Sequence, residues 1–410
     1  MPLNDAPSCM DNLSVHAPRT PPAPAPSARV LVSIVLAILI LPNLFHCEGS
    51  VLRIGIVGLP QTGKTTLFQI LTRAHGSGIG AGRQEARVGV VKVPDVRLDR
   101  LIEMFKPLKH VYATIEYMDM PGSVIELART GVQSQSLREL DALVHVVRAF
   151  EDESVPMEAD TVDPKRDIEN VELELILSDL AVVEKRLERL EKDIKKLKQP
   201  ALEKELAVLK VCKVALDKQT PLRELDLGAE EMKVIRGFTF LSLKPMLYVL
   251  NLGEGDAAKA NLADQFAAEA GLKQRLHTSV SAICGKVEAE LAEMSEADAA
   301  EFMSSYGLKE SAISRLINAS YQLLGLISFF TVGEDECRAW TIRAGMTAME
   351  GAGEIHSDIQ RGFIRAEVTK YEDLMSAGSF AEARVRAQLR LEGKEYIVQD
   401  GEIVHFRHAS

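Results

Sequence analysis

Residues Gly58-Leu59-Pro60-Gln61-Thr62-Gly63-Lys64-Thr65 fit the pattern G-x-x-x-x-G-K-[ST], and no other stretch of the chain restricts its fold as strongly. Such a loop wraps a polyphosphate with its backbone N–H groups and opens a helix whose N-terminus adds positive partial charge. It carries meaning only between a strand and a helix. Both flanks are present. Val51-Leu52-Arg53-Ile54-Gly55-Ile56-Val57 is a short apolar run of the kind that forms a buried parallel strand, and Thr66-Leu67-Phe68-Gln69-Ile70-Leu71 reads as a helix start. In this arrangement Leu59, Pro60, Gln61, Thr62, Gly63 and Thr66 cradle phosphate, Lys64 reaches the β- and γ-phosphates, and the Thr65 hydroxyl ligates Mg²⁺.

Further strands follow at the spacing of an α/β domain. Val88–Val93, Ala113–Met118, Leu143–Val147 and Pro245–Leu250 read as strands, and Arg97–Phe105 as a short helix. Strands alternating with helices predict a doubly wound, mainly parallel sheet. Gly76-Ser77-Gly78-Ile79-Gly80-Ala81-Gly82 reads as a flexible loop. Between the third and fourth of these strands, Leu173, Leu177, Leu180, Val183, Leu187, Leu190, Ile194 and Leu197 recur at three- and four-residue steps with charges between them. That is a coiled-coil seam. Gln199-Pro200 breaks it, and Leu202, Leu206, Leu209 and Leu216 carry a second amphipathic helix, which predicts an inserted antiparallel hairpin over 164–230. Its basic residues, Lys185 to Lys198, suit either a solvated helical face or a phosphate-contacting tip. From Gly325 the pattern turns β-rich, with Asp400-Gly401 as a hairpin-turn signal, and predicts a separate mixed domain over 325–410. The nucleotide domain is then 51–163 with 231–324.

Composition adds limits. A net charge of −11 gives no overall basic field for DNA, so any RNA contact has to be local. The five cysteines form no C-x-x-C pair, which argues against a zinc site or a disulfide framework and fits a reducing cytoplasm. Residues 1–50 form a leader, Pro/Ala/Ser-rich and then apolar from Val30 to Leu41, too short for a confident membrane span. Because Val51 can be encoded by GTG and Glu48-Gly49 by GAGGG, the expectation is that translation starts at Val51; a signal-like anchor and a harmless tail are the competing readings.

From Val51 to about His408 the chain resembles the YchF/Obg-like ATPases, P-loop proteins of the translation-factor class. The resemblance is carried by Gly58 to Thr66, by Val88-Gly89-Val90-Val91-Lys92-Val93-Pro94-Asp95-Val96-Arg97-Leu98 and by Val144 to Asp152. It is carried most specifically by Phe329-Phe330-Thr331-Val332-Gly333, Arg361-Gly362-Phe363-Ile364-Arg365-Ala366-Glu367-Val368 and Leu391 to Val398. It implies a P-loop nucleotide domain, an inserted helical hairpin and a C-terminal α+β TGS domain of ubiquitin-like fold. It implies Mg²⁺-dependent, slow hydrolysis of ATP, with GTP weaker, on the ribosome in the cytoplasm. A GTPase reads guanine with N-K-x-D; here the stretch is Asn251-Leu252-Gly253-Glu254, the family's ATP-preferring version. The resemblance also places Cys284 and Gly285 against the base, Asp119 beside Mg²⁺ and the Gly122 N–H toward the γ-phosphate.

Two switch regions depart from the family pattern. Arg83 stands where a Mg²⁺-closing Thr is expected, and Glu126-Leu127-Ala128-Arg129-Thr130-Gly131-Val132 replaces a glycine-rich switch. No histidine lies between Asp119 and His145, so no residue is assigned to position the attacking water. The alternative function is a nucleotide-gated adaptor or GTP-binding regulator with little hydrolysis. The simplest assembly is a monomer, with no DNA partner and no membrane.

Overall fold

Alternating apolar runs dictate a first sheet of strands β1 (Arg53–Val57), β2 (Gly76–Ile79), β3 (Arg87–Lys92), β5 (Thr114–Asp119), β6 (Ala142–Ala149), β7 (Met246–Leu252) and β8 (Thr278–Ile283), while β4 (Lys109–Val111) lies apart from it. The protein is a computed structural model that describes residues 52–79, 86–129, 131–156, 161–197, 199–257, 259, 262–305, 308 and 310–409. The expectations for residues 1–50, and for Gly80, Ala81, Gly82 and Arg83, lie outside the described residues.

The sheet order is β2-β3-β5-β1-β6-β7-β8. β5, β1, β6, β7 and β8 are parallel to one another, while β3 pairs antiparallel with β5 and β2 antiparallel with β3. β6 and β7 are buried along nearly their whole length, as strands covered on both faces must be. The fold is thus the expected mainly parallel P-loop α/β sheet. One local expectation is corrected. Gly76–Ile79 is a strand and not a loop: it pairs with β3 from Gly76↔Val91 to Ile79↔Val88. The free edge of β3 supplies backbone partners that any residue can use, so glycine-rich composition does not prevent pairing.

Helices Pro164–Leu197 and Pro200–Asp217 form the inserted hairpin, running antiparallel with Arg186 on Glu205 (2.7 Å) and Lys213 on Glu184 (2.8 Å). Val183 and Leu190 meet Val208, Leu209, Cys212 and Leu216, and the same cluster takes in Met232, Ile235, Phe240 and Leu243. The seam begins later than the spacing predicts: Leu173 and Leu177 are 37% and 47% exposed. There the helix lies on the sheet-side core instead, burying Ile168, Val171 and Leu175 against Leu143 and Tyr248. The sheet, not the partner helix, sets which face is apolar in those turns.

The C-terminal strands are β9 (Leu326–Val332), β10 (Glu336–Arg343), β11 (Phe363–Thr369), β12 (Arg390–Glu392) and β13 (Ile403–His408), in the order β12-β11-β13-β9-β10-β4. The Asp400-Gly401 expectation is corrected too. β12 and β13 both pair with β11, so no hairpin joins them, although Gly401 does take φ +81°. Asp400 instead accepts the Ser328 N–H (2.9 Å) and pairs with Arg97 (2.7 Å). Helix Ala348–Ile355 covers one face of this sheet with Phe329, Ile342, Val368 and Phe406. From the other face, Phe330, Cys337, Ala339 and Ile403 enter the main core with Leu98, Leu101, Ile313 and Leu316.

The two sheets are also joined by backbone. β4 lies in the chain between the helix Val96–Phe105 and β5, yet it pairs in parallel with β10 from Glu336↔Lys109 to Arg338↔Val111. Nothing in its three-residue sequence announces this partner.

Candidate functional site: a nucleotide cleft

Ligand sites in parallel sheets form at the carboxyl ends of the strands. Here those ends bring together the phosphate loop after β1, Asp119 ending β5, Phe150 after β6, Asn251 in β7 and Cys284-Gly285-Lys286 after β8. Between them lies a cleft of ≈ 610 Å³. Gln61, Gly63, Lys64, Thr65, Thr66, Asn251, Leu252, Glu254 and Gly285, all named from sequence, line it.

The loop's shape is fixed by backbone conformation. Gly58 and Gly63 take φ +155° and +97°, and Gln61 takes +59°. A Cβ on Gly58 would stand 2.5 Å from the Val146 carbonyl, and one on Gly63 would stand 2.4 Å from the Asn251 amide nitrogen. Only glycine fits either place. Thr62 is 3% exposed and turns inward, its hydroxyl donating to the Leu59 carbonyl (3.1 Å), while Pro60 sits exposed on the outer turn. Lys64 Nζ donates to the carbonyls of Gly58 (3.2 Å) and Leu59 (2.7 Å).

The Thr65 hydroxyl donates to Asp119 Oδ2 at 3.3 Å. Burial holds the Asp119 carboxyl above its ordinary range, opposed by the Thr65 hydroxyl and by the charges of Arg87 and Lys64. A hydroxyl and a buried carboxylate side by side at a helix N-terminus are the oxygen donors a small divalent cation takes. This pair therefore fits Mg²⁺. After Asp119 the chain stays on the loop: Met120 N–H reaches the Ile56 carbonyl and Val124 N–H the Gly58 carbonyl, both at 3.2 Å, with Gly122 at φ +79° between them.

Asn251 is 7% exposed and ties two segments together. Its Nδ2 donates to the Thr62 carbonyl and its Oδ1 accepts the Gly285 N–H, both at 3.0 Å. Glu254 stands exposed at the cleft mouth, while Cys284 is buried in a small cluster with Val287 and Leu291, away from the lining.

Sequence reasoning assigned no role to the opposite wall: Phe150, Asp152, Val155 and Lys286. That wall is held by Arg148, which donates to the carbonyls of Phe150 (3.2 Å), Asp152 (3.3 Å), Val155 (3.2 Å) and Pro156 (3.0 Å) and stacks over the Phe150 ring at 4.6 Å. The usable signal was positional, since residues just past a central parallel strand fall at the site. His145 lies in β6, fully buried with neither ring nitrogen hydrogen-bonded, and burial lowers its pKa to about 4.

A family model described as a 50S ribosome-binding GTPase matches residues 53–213, and the C-terminal model of YchF GTPases, described as a protein of unknown function, matches 326–409. The ribosome-binding ATPase YchF of Bacillus subtilis (strain 168) is 41% identical over 359 residues, covering 86% of this chain and 98% of its own. Its namesake in Escherichia coli O157:H7 is 40% identical over 364 residues, with the same coverage.

The chain belongs to the YchF family.

The solved YchF GTPase of Schizosaccharomyces pombe superposes with a TM-score of 0.76 at 30% identity, over 88% of this chain and 99% of that one. Within this YchF chain the cleft, the hairpin and the C-terminal sheet thus occur in one family architecture.

Proposed function

We propose that the chain is a Mg²⁺-dependent P-loop ATPase that prefers ATP to GTP, turns over slowly and acts on the ribosome, hence in the cytoplasm. The observation that carries this is the junction of Lys64, Thr65 and Asp119 at the mouth of the phosphate loop. The N–H groups of Leu59 and of Gln61 to Thr66 take the phosphate oxygens, Pro60 having none to give, and Lys64 exchanges its two loop carbonyls for the β- and γ-phosphates. Thr65 and Asp119 would hold Mg²⁺, which when bound would neutralise charge on the phosphoryl group. The Gly122 N–H meets the γ-phosphate. Catalysis of this kind is mainly positioning and charge stabilisation. Leu252, Glu254, Gly285 and Phe150 enclose the base, with Asn251 and Cys284 supporting them.

The domains we assign are a nucleotide domain over 51–163 and 231–324, a hairpin over 164–230 and a TGS domain over 325–410. The hairpin and the C-terminal sheet supply the ribosome-facing surfaces. There, His356 and Arg361 are both engaged with Asp358 and serve locally.

A second reading, a nucleotide-gated adaptor with little turnover, is favoured by one observation. The nearest histidine after Asp119 is His145, which is buried within the sheet and does not line the cleft. ATP turnover of the full chain, with and without ribosomes, against a Lys64→Ala control separates the two. Turnover that rises with ribosomes and vanishes in Lys64→Ala supports the enzyme. Nucleotide binding with turnover equal to the control supports the adaptor.

A further inference from the structure

Glu254 occupies the position from which a guanine-reading carboxylate would accept two base N–H groups, yet its carboxylate is already engaged. Lys286, on the first turn of the helix Gly285–Leu291, places Nζ 3.3 Å from Glu254 Oε1 and 3.5 Å from Asp152 Oδ2. The three residues come from the ends of three neighbouring strands, β6, β7 and β8, and all line the same cleft. Lys286 therefore spans the mouth of the base pocket from one wall to the other. Asp152 is itself fixed, accepting the Ser154 N–H at 2.9 Å.

We infer that Lys286 is a specificity-determining residue: clasped between Asp152 and Glu254, it withdraws the Glu254 carboxylate from guanine and so favours ATP over GTP. The inference rests on the nucleotide reading of this cleft. The physical argument is competition for one acceptor. Guanine N1–H and N2–H₂ both need carboxylate oxygens; adenine offers neither donor on that edge and loses nothing when the carboxylate is held by an ammonium. Binding GTP requires breaking the Lys286–Glu254 contact, and binding ATP does not. Because the clasp is exposed, it is screened by salt, so discrimination against GTP weakens as ionic strength rises.

The test is competition of ATP and GTP, each with Mg²⁺, against a fluorescent ATP analogue on the full chain, at low and high salt. In Lys286→Ala the GTP-to-ATP affinity ratio should rise about two- to fivefold, the scale of one exposed ion pair, and its salt dependence should flatten. Lys286→Arg should keep the parent ratio. Asp152→Asn should not raise the ratio, because it leaves Lys286 wholly on Glu254. A generally loosened pocket would weaken both nucleotides and leave the ratio alone. An unchanged ratio in Lys286→Ala, or an equal rise in Asp152→Asn, overturns the clasp and leaves the nucleotide reading standing. A parent chain that binds neither nucleotide overturns that reading and the clasp with it.

Discussion

Replacing Asn251 by alanine tests whether this residue reads the base or braces the loop. The side chain is 7% exposed and makes two hydrogen bonds of 3.0 Å, one to the Thr62 carbonyl and one from the Gly285 N–H. Removing it deletes both bonds and leaves a buried donor and a buried acceptor unpaired. Each buried group left unsatisfied costs about 1–3 kcal/mol, so with two of them Asn251→Ala should destabilise the nucleotide-free chain by about 2–6 kcal/mol. The main core runs from the first sheet into the C-terminal domain, so this loss should lower the midpoint of the major thermal transition. At about 2–4 °C per kcal/mol, the shift should be several degrees or more. The assay is calorimetry without nucleotide, followed by titration of ATP and GTP. Both nucleotides should weaken together, because the loop they share has lost its tether. A midpoint within about a degree of the parent, or a loss confined to one base, refutes the brace and returns Asn251 to base reading.

His145 gives a pH prediction. It is fully buried and its pKa is depressed from 6.5 to about 4, first by burial. A depressed folded-state value means that its contribution is intact above pH 6.5 and is lost as pH falls through about 4, a loss of about 3 kcal/mol in full. Urea unfolding from pH 7 to 4 should show that slope, and His145→Phe should remove its share; an unchanged slope in the variant would sink the assignment. Arg97 links the sheets, pairing with Asp95 (2.8 Å) and Asp400 (2.7 Å) over the Phe330 ring. Arg97→Ala should cost about 1–3 kcal/mol and speed amide exchange at Lys109–Val111, where β4 meets β10. Unaltered exchange there would mean that the two sheets stay docked without it.

The phosphate loop was legible because its glycines answer to sterics inside a few residues: Gly58 and Gly63 have no room for a Cβ, whatever the rest of the chain does. The central strands were legible because burial on both faces demands continuous apolar runs, and Leu143 to Val147 is one. The hairpin was legible where two helices bury each other, at Val183 and Leu190, and misread at Leu173 and Leu177, where a sheet decides the buried face. Gly76–Ile79 was misread because an edge strand draws on its neighbour's backbone, which composition does not report.

The sequence by itself determined a strand–loop–helix of the polyphosphate-binding pattern, a mainly parallel sheet, a helical hairpin and a β-rich end, since each follows from spacing along one segment. Tertiary structure alone decided that Asn251 braces Thr62 and Gly285, that Lys286 lies between Asp152 and Glu254, and that β4 completes the C-terminal sheet. These contacts join residues 32 to 227 positions apart. Their energies depend on distances between strand ends, and those are set when the sheet closes, not by any local pattern of residues.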